Sequence, residues 1–493
     1  MTAAIRIGSG GAAGALVAAA AALVALSLAA PINHDESQYL AAARLAADWR
    51  PYADFLHLQT PLQIYLFAPV AAFAGDHMLI ALRVLTALIG GATLALVYRS
   101  QRMLGVAPAA ALACALLLGL CQSFQFGVTV VRNDALPALL EAGGIACAVA
   151  ALGRAHGRLW LWAAAGALFG GAAATKISYL LPLAGLGVFH LIRFRAAEAV
   201  AGGAGALIGL APILIARSAA PEAFDYGVLH YAVQAPFDWY AGAGAGYRLT
   251  IASKLWETTK ALLAGPAAAA IAWIAWRRIR NGWPTDPAGR LLDLLVLAGL
   301  VAALLPTPTW RQYVIPLLPP LFVSLGLELS RGGVSRLALG TVAAFAALGL
   351  VQPAQWIGGS EPRPADATRE AHWIGDRLRA AGIAGAVATL SPQVVLGSGA
   401  PLDPRFATGP FFYRTGDVLP PDLQRRMHVV SPATVGAFLD EAPPAAIVTG
   451  YERDSRGRDL ERPLREWAAA RNYRRERSPF GRAELFLAPA AGR

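Results

Sequence analysis

Two adjacent carboxylates, Asp35 and Glu36, open the first polar stretch of the chain. "NHDESQYLAAARLAADWRPYADFLHLQTPL" (33–62) follows directly on the apolar run "GAAGALVAAAAALVALSLAAPI". Carboxylates at the mouth of a membrane helix are costly to desolvate, so they call for a role. One role is chemical: a held carboxylate can take a proton from an acceptor hydroxyl. Neighbours on a helix point about 100° apart, so one acid can face a cavity while the other meets a supporting group. The other role is structural, because "NHDES" is a good N-terminal capping sequence. The sequence leaves both open.

Further polar groups recur at intervals. Arg132 and Asp134 stand in "VVRNDALPALL", Lys176 in "AATKISY", and Arg311 and Tyr313 in "PTPTWRQYVIPLLPP". Arginine suits bidentate binding of a phosphate, and three such cations together would neutralise a lipid phosphate. Each also has a plainer reading: a charge pair at a helix entrance, a snorkelling lysine, and an aromatic belt at the interface. Trp239 and Tyr240 lie in "FDYGVLHYAVQAPFDWYAGAGAGY", where aromatic rings stack on a sugar or rest against lipid. His34 and His57 lack the spacing of a zinc motif. A divalent cation beside His34, Asp35 and Glu36 stays an alternative; otherwise no cofactor is implied. Cys114, Cys121 and Cys147 sit inside apolar runs and staple nothing. No phosphate-loop signature occurs, which removes support for ATP-driven transport within the chain.

The elements that must position these residues are membrane helices. Of 493 residues 56% are hydrophobic and only 15% charged, where a soluble protein carries about a quarter. Apolar runs near 11–31, 79–98, 108–127, 135–152, 159–175, 178–192, 198–216, 261–276, 291–305, 312–329 and 335–352 read as about 11 spans. Glycine runs such as "ALFGGAA" and "AVAGGAGALIGLAP" read as close helix packing. After about residue 355 the pattern changes. "DATREAHWIGDRLRAAGI" and "DLERPLREWAAARNY" have helical periodicity, whereas "AVATLSP", "AAIVTG" and "AELFLAP" read as strands. The expected organisation is a polytopic α-helical membrane domain, 1–354, with outer loops 32–78 and 217–260, followed by a soluble α/β domain, 355–493.

Arginines orient the spans. With a cytoplasmic N-terminus, the inner side collects Arg6, Arg99, Arg102, Arg154, Arg158, Arg193, Arg195, Arg277, Arg278, Arg280, Arg290, Arg331 and Arg336. That is a positive-inside pattern, and it accounts for the net charge of +11 better than nucleic-acid binding does. Counting "PLQIYLFAPVAAFAG" (61–75) as a span would put these arginines outside, so it reads as interfacial or re-entrant. The expected location is a bacterial inner membrane, with the tail on the extracytoplasmic, periplasmic side. Asp35, Arg132, Asp134, Lys176 and Arg311 then share the outer face.

In this order the motifs resemble the GT-C superfamily of polyprenyl-phosphate-sugar-dependent glycosyltransferases, in its protein O-mannosyltransferase and aminoarabinose-transferase-like branch. "HDESQYLAAARLA" is similar to the branch's acidic motif in the first outer loop. "PYADFLHLQTPLQIYLFAPVAAFAGDHMLIALRVLTAL" resembles its His/Lys-Pro-Pro-Leu stretch and the arginine opening the second span. "VRNDALPALL", "GAAATKISYLLPL" and "WRQYVIPLLPPLF" are similar to its later motifs. Thr60-Pro61-Leu62 replaces the family's Pro-Pro-Leu, and His57 precedes it by three residues. The resemblance implies inverting transfer of a sugar from a polyprenyl phosphate to an acceptor hydroxyl on a glycan, lipid or protein. It implies Asp35 as base, Glu36 and Asp134 as its acidic partners, and Arg132, Lys176 and Arg311 at the donor phosphate. His57, Tyr313, Trp239 and Tyr240 are the expected substrate contacts. The rival reading is a transporter or flippase of lipid-linked sugars, which would hold charges at mid-membrane, where only Glu141 and Glu328 come near.

Overall fold

The computed structural model describes residues 9–154, 156–332, 336–452 and 457–489. Each expected span falls on helix within that set. In chain order the helices are α1 (Ser9–Ala29), α2 (Glu36–Leu45), α3 (Leu62–Ala74), α4 (Met78–Met103), α5 (Pro108–Gly119), α6 (Gln122–Thr129), α7 (Ala135–Leu152), α8 (Arg158–Thr175), α9 (Leu180–Arg193) and α10 (Ala196–Ala219). There follow α11 (Pro221–Asp225), α12 (Tyr231–Gly242), α13 (Ile251–Leu263), α14 (Ala267–Asn281), α15 (Pro287–Leu304), α16 (Leu318–Arg331), α17 (Arg336–Leu348) and α18 (Val351–Gly358). The stretch 217–260, read as a long loop, is thus largely helical. So is 61–75, which forms α3 and joins α4 through one turn at Gly75–His77.

Among the described residues six helical stretches are long and apolar enough to cross a membrane, or eight if two bent pairs each count as one span. The bends are 69° between α5 and α6 and 97° between α13 and α14. The remaining expected spans are real helices that are short or diluted. The α9 helix has 14 residues and α17 has 13. The α8 helix carries an arginine, two tryptophans and three glycines in 18 residues. The protein is a multi-pass membrane protein. Arg6 and the Arg336 side chain, expected on the inner side, lie outside the described set.

The chain divides into two compact units. The first comprises Met1–Ser27, Val84–Ile213 and Tyr247–Gly359. Its core is built of helix faces lined by Trp162, Phe169, Phe189, Leu292, Leu318 and Phe322. Glycines let α8 and α10 touch backbone to backbone. A Cβ on Gly166 would stand 1.9 Å from the Gly202 carbonyl oxygen, and one on Gly205 would stand 1.8 Å from that of Ala163. In a membrane, where apolar burial drives helices together only weakly, such close approach is what holds them. At one end of the bundle Glu328 accepts from Arg277 (3.2 Å), Arg278 (2.9 Å) and Arg331 (3.0 Å). Glu328, marked as a mid-membrane exception, is therefore a clamped helix-end carboxylate. Glu141 is fully buried two turns into α7, and among the described residues neither carboxylate oxygen has a hydrogen-bond partner.

The second unit comprises Leu28–Arg83, Leu214–Gly246 and Ser360–Arg493. Its sheet consists of β1 (Val387–Thr389), β2 (Ala446–Thr449), β3 (Arg474–Arg477) and β4 (Glu484–Leu487) in the order β1-β2-β4-β3. The β1 and β2 strands are parallel; the other pairs are antiparallel. Three strands were legible as apolar runs, and each is fully buried. The fourth, "RRER", is an exposed edge whose charges discourage further strand pairing. The two helices expected from periodicity are α19 (Pro364–Ala380) and, after three short helices at Pro410–Tyr413, Pro421–Arg426 and Val435–Glu441, the helix Arg462–Ala470.

Candidate active-site residues

The two acids of "NHDES" meet different surroundings. Glu36 begins α2 and is fully buried. Arg83 of α4 grips it with two nitrogens: Nε lies 2.8 Å from Oε1, and an Nη donates to Oε2. The same guanidinium donates to the carbonyls of Ala30 (2.7 Å) and Pro31 (2.9 Å). Glu36 Oε2 also accepts the Asn33 amide at 3.0 Å. A carboxylate so saturated is an anchor: it pins the chain entering α2. The sequence placed Arg83 only as the residue opening a span and missed this partnership across 47 positions.

Asp35 occupies the N-cap position of α2, yet its side chain makes no capping hydrogen bond. Its amide donates to Asn33 Oδ1 at 3.0 Å, so Asn33 shapes the turn. The Asp35 carboxylate stays 23% exposed and accepts from His34 Nε2 at 2.8 Å. His34 lies 5.6 Å from the Phe411 ring. Of the two readings for this stretch, capping is not what the Asp35 carboxylate does. Glu452, which follows β2, adds a buried acid nearby: burial pushes its pKa up to about 7, against the favourable charges of His34 and Arg414.

His57, expected among the substrate contacts, is only 3% exposed and packs edge-on between Tyr39 and Tyr52. Burial lowers its pKa to about 3, so the ring is neutral at any physiological pH. Its place is in the core. Trp239 and Tyr240 on α12 are likewise buried, not open platforms for a sugar. The guanidinium of Arg414 lies 5.0 Å and that of Arg458 5.2 Å from the Trp239 ring, a cation–π arrangement that uses the ring faces internally.

The cationic set assembles within the first unit. Asp134 precedes α7 and is 1% exposed on its side chain. It accepts from Arg132 Nε at 3.0 Å and from Lys176 Nζ at 2.5 Å. Lys176 ends α8 with extended backbone, which turns its side chain back towards Asp134. Its ammonium lies 5.0 Å from the Tyr313 ring, in the short helix Arg311–Leu317. The Arg311 and Arg132 guanidinium carbons lie 3.9 and 5.3 Å from the centre of the Phe126 ring. Arg311 also donates to Gln352. Arg132 and Lys176 thus pair with the Asp134 carboxylate, and Arg311 shares the Phe126 ring with Arg132, so three cations accompany one carboxylate in this set. Phe126, in "SFQFGV", organises both arginines and was not singled out from sequence, because an aromatic in an apolar run carries no signal of its own. Among the described residues no three His, Cys, Asp or Glu side chains are grouped to hold a metal ion.

No family model and no curated protein matches the chain. Solved structures do. The fold is similar to that of ArnT from Cupriavidus metallidurans bound to undecaprenyl phosphate, with a TM-score of 0.65 and 15% identity over 98% of this chain and 99% of that one. It is also similar to the apo oligosaccharyltransferase of Archaeoglobus fulgidus (TM-score 0.53, 13% identity, 97% and 74%). A third similarity is to the arabinofuranosyltransferase AftD from Mycobacteria (TM-score 0.52, 15% identity, 96% and 40%). At such identities the likeness is one of fold. It spans both units and recurs in all three proteins.

Proposed function

We propose that the protein is an integral-membrane glycosyltransferase that moves a sugar from a polyprenyl-phosphate donor to an acceptor hydroxyl, with inversion, on the extracytoplasmic face of a bacterial inner membrane. The observation that carries this reading is the Asp35 carboxylate: it sits at a helix N-terminus without capping it, partly exposed and held by His34. The fold shared with ArnT, crystallised with undecaprenyl phosphate, supports the donor class.

In this reading the acceptor O–H gives its proton to Asp35 as its oxygen bonds to the anomeric carbon. The bond from that carbon to the phosphate oxygen breaks on the opposite side, and the electron pair leaves with the polyprenyl phosphate. Negative charge grows on the phosphate, and cations such as Arg132, Lys176 and Arg311 are our candidates to stabilise it. Glu36 keeps Asp35 in place through Arg83. Asp134 holds Arg132 and Lys176 in register. A divalent cation is not required by this scheme.

The test is transfer by purified protein in liposomes supplied with a polyprenyl-phosphate sugar. Asp35→Asn should lower the rate by about 10²–10⁴-fold, the usual worth of a general base. Transfer near the wild-type rate would remove Asp35 from that role. A reporter fused after residue 360 should be active only outside the cytoplasm. Comparing envelope glycans with and without the gene identifies sugar and acceptor.

A further inference from the structure

The ends of α7 and α8 away from Asp134 and Lys176 carry a second cationic assembly. An 18-residue helix is about 27 Å long, so this assembly lies a bilayer core away from the cations around Asp134. Here the turn between α7 and α8 faces the turn between α9 and α10 across a cavity of about 680 Å³. Arg158, Trp160, Phe194, Arg195 and Glu198 line it.

Glu198 is the organiser. It is buried and shared by two arginines, accepting from Arg158 Nε at 3.2 Å and Arg193 Nη1 at 2.8 Å. One carboxylate fixes both guanidinium groups but neutralises only one. Arg195 stands exposed beside them, and its side chain makes no hydrogen bond or ion pair among the described residues. Arg154 lies in the turn after α7, so along these two turns Arg154, Arg158, Arg193 and Arg195 outnumber Glu198 by three.

The rim is apolar in a way that water would penalise. Phe194 is 91% exposed, with Leu191 and Trp160 also well exposed beside it. Phe194 further adopts a left-handed backbone (φ 50°), uncommon for a bulky residue, which turns the chain between α9 and α10. A cationic cavity bordered by outward-facing aromatic and aliphatic side chains at the end of membrane helices matches one kind of occupant. It needs a negative head and an acyl body.

We propose that this cavity is a binding site for an anionic phospholipid of the surrounding bilayer, with Arg158 and Arg195 holding the headgroup phosphate and Phe194 and Trp160 resting against the acyl chains. A zwitterionic lipid has the same phosphate, but its own cation would sit against this surplus of positive charge. The site therefore selects by net headgroup charge. The inference does not depend on the transferase reading.

Native mass spectrometry of the full-length protein, exchanged into nanodiscs of phosphatidylglycerol or phosphatidylcholine, tests it. Wild-type protein should retain phosphatidylglycerol and not phosphatidylcholine through detergent release. Each arginine near a membrane surface contributes about a five-fold preference, so R158Q/R195Q should lower phosphatidylglycerol retention about 25-fold. Arg158 touches Glu198 and its loss can disturb packing. Arg195→Gln alone, at an exposed and uncommitted side chain, should still cost about five-fold with unchanged thermal stability. Unchanged retention in Arg195→Gln, or equal retention of phosphatidylcholine by the wild type, overturns the proposal.

Discussion

Glu452→Gln should stabilise the second unit at alkaline pH and leave it unchanged in acid. Glu452 is 9% exposed, and burial raises its pKa from an ordinary 4.5 to about 7; Glu461 adds to the rise, while His34 and Arg414 oppose it. Below pH 4.5 the carboxyl is protonated in both folded and unfolded chain, so nothing is lost. Between pH 4.5 and 7 the unfolded chain releases the proton while the folded one keeps it, and stability falls. Above pH 7 the full penalty is present. The shift of 2.5 units (7 minus 4.5) at about 1.36 kcal/mol per unit corresponds to roughly 3 kcal/mol. Glutamine keeps the shape and never ionises. Hydrogen exchange at the β2 amides, Ala446–Thr449, reads the effect in purified protein, comparing variant with wild type at pH 5, 6.5 and 8. The expected result is a gain for the variant of under about 1 kcal/mol at pH 5, rising to about 2–3 kcal/mol at pH 8. A variant equal to or weaker than wild type at pH 8 refutes the reasoning, because it would mean that the folded carboxylate ionises without cost.

Three substitutions test the packing that places the cationic and acidic groups. Gly205→Leu puts a side chain where a Cβ already lies 1.8 Å from the Ala163 carbonyl, so α8 and α10 must separate, and the purified protein should lose its monodisperse peak. Gly203→Leu, with nothing within 4 Å of its Cβ, should behave as wild type, and equal behaviour of the two would refute the packing account. Glu36→Gln leaves Arg83 buried without its counter-charge and should cost about 3–5 kcal/mol in thermal or denaturant unfolding; a cost below about 1 kcal/mol would show that the two carbonyls alone satisfy Arg83.

What the sequence made legible was local. Apolar runs marked the helices, because a span needs little more than length and hydropathy. Glycine runs signalled close helix packing, and the structure shows that the two runs meet each other, in α8 and α10. The buried strands of the tail stood out for the same reason, as short apolar runs. What stayed hidden depends on partners far along the chain. Glu36 finds Arg83 47 residues away, and Lys176 finds Asp134 across 42. Trp239 and Tyr240 looked like exposed aromatics because nothing near them in sequence covers them; the arginines that close over Trp239 come from positions 414 and 458. His57 shows the reverse error. A histidine in a polar loop invites a functional role, yet two tyrosines enclose it.

The acidic pair shows how structure separates two residues that sequence treats alike. Asp35 and Glu36 differ by one methylene and one position, and the helix sets them about 100° apart. That angle sends Glu36 inward to a guanidinium that takes both its oxygens. A carboxylate so engaged would have to give up charge-assisted hydrogen bonds before accepting a proton, so it is a poor base. Asp35 turns the other way, accepts from His34 at 2.8 Å and keeps part of its surface open. The burial of Glu36 is therefore a reason to assign the base to Asp35. The anchor fixes the backbone at position 36, and a fixed neighbour is what a base needs if proton transfer is to happen within hydrogen-bond reach.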